Sequence, residues 1–520
     1  YGFIQGALKE TYTPGKREEA SATKLIDTFV THKLWGFPIF FALMWLMFWC
    51  TFSLGAYPQE WIDALVGWIG GAADALLPAG PLRDLLVDGV IGGVGAVIVF
   101  LPNIIILYLF ISFMEDSGYL ARAAFIMDRV MHRIGLHGKS FIPLIMGFGC
   151  NVPAIMACRT IESRSSRLIT ILITPFMSCS ARIPIYLLLA GTFFAADAGT
   201  VMLGLYALGI VLAVVTARLM RRFLFPVDET PFVMELPVYH VPHIKSLIIQ
   251  TWQRLKGFVL RAGKVIIIVS IFLSAFNSFS LSGKIVDNIN DSALASVSRV
   301  ITPVFKPIGV HEDNWQATVG LFTGAMAKEV VVGTLNTLYT AENIQDEEFN
   351  PAEFNLGEEL FSAIDETWQS LKDTFSLSVL MNPIEASKGD GEMGTGAMGV
   401  MDQKFGSAAA AYSYLIFVLL YVPCISVMGA IARESSRGWM GFSILWGLNI
   451  AYSLATLFYQ VASYSQHPTY SLVCILAVIL FNIVVIGLLR RARSRVDIEL
   501  LATRKSVSSC CAASTTGDCH

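Results

Sequence analysis

The chain has 520 residues, of which 54% are hydrophobic and only 15% charged, with a mean hydropathy of +0.60 and a net charge of −3. Soluble domains carry about 25% charged residues, so the composition excludes a soluble globular enzyme and points to a polytopic membrane protein. The near-neutral balance lacks the basic footprint of a nucleic-acid binder.

The chain begins with Tyr1, and residues 1–33 ("KETYTPGKREEASATK" among them) contain no signal-peptide apolar core. They read as a cytoplasmic linker leaving a preceding segment. Eight runs then have the length and apolarity of full spans, at about 34–54, 90–113, 168–193, 201–222, 259–281, 412–433, 439–459 and 469–490. Basic residues collect at Lys9–Lys33, Arg122–Lys139, Arg159–Arg167, Arg218–Arg222 with Lys245–Lys256, and Arg490–Arg495, whereas 55–89 holds only Arg83. Because Lys and Arg mark the cytoplasmic side, both chain ends are expected in the cytoplasm.

Two further apolar runs, 141–158 and 316–339, break this scheme as full crossings. Basic loops flank the first on both sides, so it must enter and leave from the cytoplasm, and by the same count the second enters and leaves from outside. Such broken backbone survives at membrane depth only where protein or a water-filled cavity satisfies it. The expected fold is therefore all-α, with about eight full spans plus two re-entrant or broken helices. The halves match with opposite orientation, an inverted repeat of the kind secondary transporters use.

The resulting organisation places first spans and an interfacial helix ("WIDALVGWIGGAADALL", 61–77) in 34–113, one repeat in 114–258 and the other in 259–468. A last span occupies 469–495 and a tail 496–520. The loop 340–411 carries fourteen acidic residues against three lysines, Lys372, Lys388 and Lys404. Leu360, Ile364, Trp368, Leu371 and Phe375 share one helical face within it, as in a helix lying on the outer interface. The acidic excess either is a solvated loop, the plainer reading, or concentrates cations at an entrance.

The chemistry gathers at four places where the apolar pattern is interrupted. In "GFGCNVPAIMACRT" (Gly147–Thr160), Gly147, Gly149 and Pro153 deny Cys150 and Asn151 a continuous helix, leaving backbone carbonyls without helical partners. "TPFMSCSARIP" sets Ser178, Cys179, Ser180 and Arg182 between Pro175 and Pro184. "GLFTGAMAKEVVVGT" places Lys328 and Glu329 inside the second hairpin, and "YVPCISVMGAIARE" puts Pro423 and Cys424 in the following span. Thiols with carbonyl and hydroxyl oxygens suit a divalent transition metal better than Mg or Ca, and ionisable groups at membrane depth are functional candidates. Packing cysteines beside glycines that let helices approach explain the same residues equally well.

Cys158 reads as structural. Met146, Met156, Met177, Met326 and Met428 fit a gap-filling core better than a soft-metal path, and His132, His137, His240 and His243 read as solvated or interfacial. The nine cysteines show no disulfide framework. Cys510, Cys511, Cys519 and His520 could chelate metal, although their Ser/Thr/Gly-rich surroundings favour a disordered tail. "GLHGKS" is no Walker A loop, because its first glycine would fall at Arg133 and no strand precedes it. The sequence also lacks H-E-x-x-H.

"GFGCNVPAIMACRTI", "PFMSCSARIPIY", "GAMAKEVVVGTL", "YVPCISVMGAIARE" and "MEDSGYLARAAFIMDR" (114–129) closely resemble ferrous iron transport protein B over essentially the whole chain, and the cysteine-containing tail is similar to that of enterobacterial members. The resemblance implies Fe(II) uptake across the bacterial inner membrane. It also implies GTP and Mg bound only by an N-terminal GTPase domain that this sequence does not include, and small cytoplasmic accessory proteins as partners. Homo-oligomerisation stays open. The family's gate cysteines carry over to Cys150, Cys179 and Cys424, with Asn151, Ser178, Ser180 and Glu329 as further metal-path candidates. The competing readings are a permease for a small organic solute with gate-like repeats and a GTPase whose spans only anchor it.

Overall fold

The computed structural model describes residues 19–32, 34–77, 80, 83, 85–194, 197–225, 238–280, 292–326, 328, 330–340 and 395–513. Their regular structure is helical, as lipid demands of backbone that must close its own hydrogen bonds. In chain order the first half contains α1 (Glu19–Val30), α2 (Gly36–Trp49), α3 (Gly55–Leu76), α4 (Gly92–Val99), α5 (Leu101–Asp116), α6 (Tyr119–Ile134), α7 (Phe141–Gly149), α8 (Asn151–Ala157), α9 (Arg164–Ile173), α10 (Ile183–Phe193) and α11 (Ala198–Phe223). The second half contains α12 (Ile244–Phe258), α13 (Lys264–Ser278), α14 (Ala293–Ile301), α15 (Trp315–Met326), α16 (Val330–Thr340), α17 (Thr395–Phe405), α18 (Ala408–Leu420), α19 (Ile425–Glu434), α20 (Arg437–Ala462) and α21 (Pro468–Ala513).

Among the described residues, five stretches are long and apolar enough to cross a membrane: Arg164–Phe193, Ala198–Phe223, Ala408–Glu434, Arg437–Ala462 and Pro468–Arg491. They coincide with five of the eight expected spans. The other three are helical but segmented. The 34–54 run continues as α2 through a π-helical turn (Cys50–Leu54) into α3, so the expected interfacial helix at 61–77 is no separate element. The 90–113 run divides at Phe100 into α4 and α5. The third runs through a π-helical turn (Val259–Gly263) straight into α13, and α12 precedes that turn without a gap. After α5 the chain bends by 81° into α6. Gly118 makes that corner with φ +83°, a region open to glycine at no steric penalty.

Burial sorts the spans. The windows of Arg164–Phe193 and Ala408–Glu434 are 72% and 61% buried, against 11% for Pro468–Arg491, so the two spans rich in prolines and small residues form the centre and α21 the lipid-facing edge. Each half contains the same succession: two short helices packed together (α7 with α8, α15 with α16), a span broken in its middle (α9–α10, α18–α19) and a continuous helix of 26 residues (α11, α20). The halves also interlock reciprocally, since α8 packs on α19 and α16 on α10. The first contact is an apolar seam of Ile155, Cys158, Ile161, Ile171, Val427, Ala430 and Ile431, with Val152 and Cys424 against it.

The second short pair is an antiparallel hairpin. A Cβ at Gly320 would lie 2.8 Å from Leu335, and one at Gly324 2.7 Å from Val331, a register that runs backwards along α16. Of the acidic loop 340–411, residues 341–394, which include the proposed interfacial helix, fall outside the described residues. The tail departs from its expected disorder, because α21 continues unbroken to Ala513. That carries Cys510 and Cys511 onto a helix, while Cys519 and His520 lie outside the described residues.

Candidate functional site at the helix breaks

Four interruptions define the site. At the first, Cys150 is extended (φ −149°, ψ 127°) between α7 and α8. Two glycines let this break press on its neighbours: a Cβ at Gly149 would stand 2.8 Å from Leu107, and one at Gly147 3.0 Å from Met177. The second interruption is longer. A 3-10 turn at Thr174–Phe176, extended backbone at Met177 and Cys179, and another 3-10 turn at Ser180–Arg182 separate α9 from α10. At the third, Tyr421 (ψ −127°) and extended Cys424 divide α18 from α19. The fourth, between α15 and α16, contains Lys328.

The first two interruptions are joined. Ser180 Oγ donates to the Gly149 carbonyl at 3.0 Å, and the buried Asn151 carboxamide is placed to donate to the Thr174 and Gly147 carbonyls at 3.1 Å each. Arg182, only 1% exposed, donates to the Met177 carbonyl (3.3 Å) and the Pro175 carbonyl (3.1 Å). Breaking the helix thus releases carbonyls as the sequence implies, but five of them (Gly147, Gly149, Thr174, Pro175 and Met177) face donors from the chain itself. Ser178 Oγ shares a 2.8 Å hydrogen bond with the buried Tyr186 hydroxyl. Across the centre, the buried Lys328 ammonium lies 5.1 Å from the Tyr421 ring centroid.

The candidate residues therefore divide. Cys150, Asn151, Ser178, Cys179 and Ser180 belong to the joined interruptions of the first half, and Cys424 to the interruption of the second, against the apolar seam of α8 and α19. Among the described residues no three His, Cys, Asp or Glu side chains converge as a metal-holding group. Glu329 lies outside the described residues. Cys158 is wholly buried in the apolar seam with Sγ directed at the Ala154 carbonyl (3.5 Å), a packing role. Met146 and Met177 are core residues. His137 caps its own turn, accepting from the Lys139 amide at 3.3 Å, and His240 and His243 are exposed.

Reading residues singly missed two participants, Tyr186 and Tyr421, which carried no signal that separates them from ordinary core aromatics. Arg182 stood out as a charge in an apolar run just before Pro184, but not as the donor to the Pro175 and Met177 carbonyls.

Two family models match the chain. One, described as "Nucleoside recognition" (Gate), covers residues 97–193 and 259–437, enclosing all four interruptions. The other, "Ferrous iron transport protein B C terminus", covers residues 202–254. Among curated proteins, the chain is 75% identical over 511 residues to the "Fe(2+) transporter FeoB" of Escherichia coli strain K12, covering 97% of this chain and 66% of that protein. It is 74% identical to the same-named protein of Shigella flexneri and 70% identical to that of Salmonella typhimurium, with the same coverage. The chain thus spans somewhat less than two thirds of these relatives' length. No solved structure matches.

Proposed function

The chain belongs to the ferrous iron transport protein B family, and from that premise we propose that it carries ferrous iron across a bacterial inner membrane by way of its helix breaks. The observation that carries the reading is the repeated break of the buried central span beside a thiol, at Cys179 in the first half and Cys424 in the second. A buried span of a stable bundle gains nothing from losing its helical bonds. Such breaks are instead how transporter repeats present carbonyls and side chains to an ion near the midplane. Cys150, Cys179 and Cys424 supply soft ligands, Asn151, Ser178, Ser180 and Glu329 supply oxygens, and a mixed set of that kind favours a transition metal over Mg or Ca.

In this reading the two halves are inverted repeats, both chain ends face the cytoplasm, and the chain acts as a transporter rather than an enzyme. GTP binding and hydrolysis, with Mg, belong to the part of the relatives' length that this chain does not span. Small cytoplasmic accessory proteins are the proposed partners.

A second reading rests on the "Nucleoside recognition" description of the Gate model: a small organic solute would be held by Tyr186, Tyr421, Ser178 and Asn151. The test is uptake of radioactive iron and of a labelled nucleoside in cells lacking other carriers of each. We expect Cys150→Ser, Cys179→Ser and Cys424→Ser to cut iron uptake at normal membrane amounts, and Cys50→Ser and Cys474→Ser, outside the breaks, to be nearly silent. Residues sharing one ion should also be non-additive in pairs. Equal behaviour of all five variants would reduce the cysteines to packing. Nucleoside uptake without iron uptake would establish the second reading, and iron uptake that ignores every break would leave the spans as an anchor.

A further inference from the structure

The interruptions already hold cations, and both are tethered. The Arg182 guanidinium sits on the Pro175 and Met177 carbonyls, at 3.1 and 3.3 Å, inside a span broken at those residues. The Lys328 ammonium sits over the face of Tyr421, 5.1 Å from its centroid, at the break of the opposite hairpin. Both side chains are almost fully buried, at 1% and 2% exposure. Carbonyl oxygens and the negative face of an aromatic ring are what a desolvated cation seeks. The two fixed charges come from opposite halves. Tyr421 carries Lys328 on its ring and abuts Gly324 of the hairpin.

We propose that Arg182 and Lys328 are built-in surrogates for the transported cation, which occupy its carbonyl and aromatic positions in the closed state and exclude free divalent cations until they are displaced. The proposal rests on the reading of the breaks as the ion path. Like charges at close range in a medium of low dielectric repel strongly, so a ferrous ion cannot take the carbonyl position while Arg182 holds it, nor the aromatic position while Lys328 does. Closure is then electrostatic as well as steric. A conformational step that swings Arg182 off the Pro175 and Met177 carbonyls would release two oxygen ligands at the position from which the blocking charge leaves. Cys179 and Ser180 lie in the same interruption. Arg182 and Lys328 are thus specificity-determining residues that act against passage, whereas the thiols act for it.

The experiment uses the protein reconstituted in proteoliposomes loaded with a metal-sensitive dye, with ferrous and manganous ions as separate probes. Lys328→Met keeps length and bulk while removing the charge, and Lys328→Arg keeps the charge. We expect Lys328→Met to raise the initial influx of one or both ions at least about threefold and Lys328→Arg to match the wild type. Arg182→Gln, which keeps a donor for one carbonyl, should act in the same direction. If Lys328→Met does not fold, Lys328→Gln reads the same expectation with a polar side chain. Influx at or below the wild-type level in the folded neutral variants overturns the proposal. Failure of the path itself looks different: influx would then be unaffected by Cys150→Ser, Cys179→Ser and Cys424→Ser as well.

Discussion

Arg159 and Glu434 join the two halves of the protein. Nε of Arg159 donates to one carboxylate oxygen of Glu434 at 2.7 Å and a terminal nitrogen donates to the other, across 275 residues of chain. Arg159 lies in the turn that ends the first short pair, and Glu434 is the last residue of α19. The fork therefore pins the mouth of the apolar seam between α8 and α19. Glu434 is only 9% exposed, whereas Arg159 is 61% exposed, which holds the pair to about 1 kcal/mol, or roughly fivefold in an equilibrium. Arg159→Glu and Glu434→Arg each place like charges together and should lower iron uptake several-fold. The double reversal should recover at least half. A double variant no better than either single one would show that the contact between the halves does not depend on this pair.

How much of this was legible beforehand differs by feature. Five spans follow from apolar length alone, three interruptions follow from Gly and Pro in otherwise apolar runs, and the fourth follows from Lys328 and Glu329 inside the second hairpin. The other three are segmented, because hydropathy measures apolarity and does not see where a helix divides, as at Phe100, or takes a π-helical turn, as at Cys50–Leu54 and Val259–Gly263. At the site, Cys150, Cys179 and Cys424 were legible as thiols beside breaks. What could not be read was the occupancy of the freed carbonyls. Satisfaction of the Pro175 and Met177 carbonyls by Arg182, or of the Gly149 carbonyl by Ser180, depends on how the chain folds back on itself, and no periodicity encodes that.

The Ser180 contact offers its own measurement. Its hydroxyl ties the Cys179 interruption to the carbonyl just before Cys150, and a neutral hydrogen bond of this kind is worth about 0.5–1.5 kcal/mol. Ser180→Ala should loosen the joint by that amount, read as roughly two- to tenfold faster reaction of Cys150 with a small thiol reagent. Ser180→Thr, which keeps the hydroxyl, should stay close to the wild type. Equal reactivity in all three proteins would mean that the bond does not hold the two interruptions together.

The turn between α6 and α7 should respond to pH. His137 accepts from the Lys139 amide through Nδ1, which only the neutral ring can do. Burial holds its pKa below the ordinary 6.5, the Lys139 ammonium adds to that shift, and Asp128 and Glu162 oppose it. A histidine whose folded pKa is depressed leaves stability intact above about 6.5. That stability is lost as pH falls from there through the lower folded value, because the unfolded chain binds the proton first. The protection factors of the amide hydrogens of residues 135–140, taken relative to the slower intrinsic exchange at lower pH, should therefore fall between pH 7.5 and 5.5. His137→Asn supplies an acceptor that does not titrate and should remove the difference, whereas a pH effect that persists in that variant would place the titration elsewhere.

Gly324 and Tyr421 test whether the second hairpin is closed onto the central break. A methyl group at Gly324 would collide with the Tyr421 hydroxyl and stand 2.7 Å from Val331 of α16. Neither neighbour has free room, since Val331 is 2% and Tyr421 5% exposed. Overpacking of this kind costs about 1–3 kcal/mol, so Gly324→Ala should lower the midpoint of heat-induced unfolding in detergent. Tyr421→Phe removes the colliding oxygen while leaving the ring beneath Lys328. It should be mild alone, and the Gly324→Ala/Tyr421→Phe double variant should lose less stability than Gly324→Ala alone. Relief will be partial, because the approach to Val331 remains. The sign of the coupling decides the matter. Residues in contact depart from additivity by about 0.5–3 kcal/mol, and strictly additive losses would mean that Gly324 and Tyr421 do not meet in the folded protein.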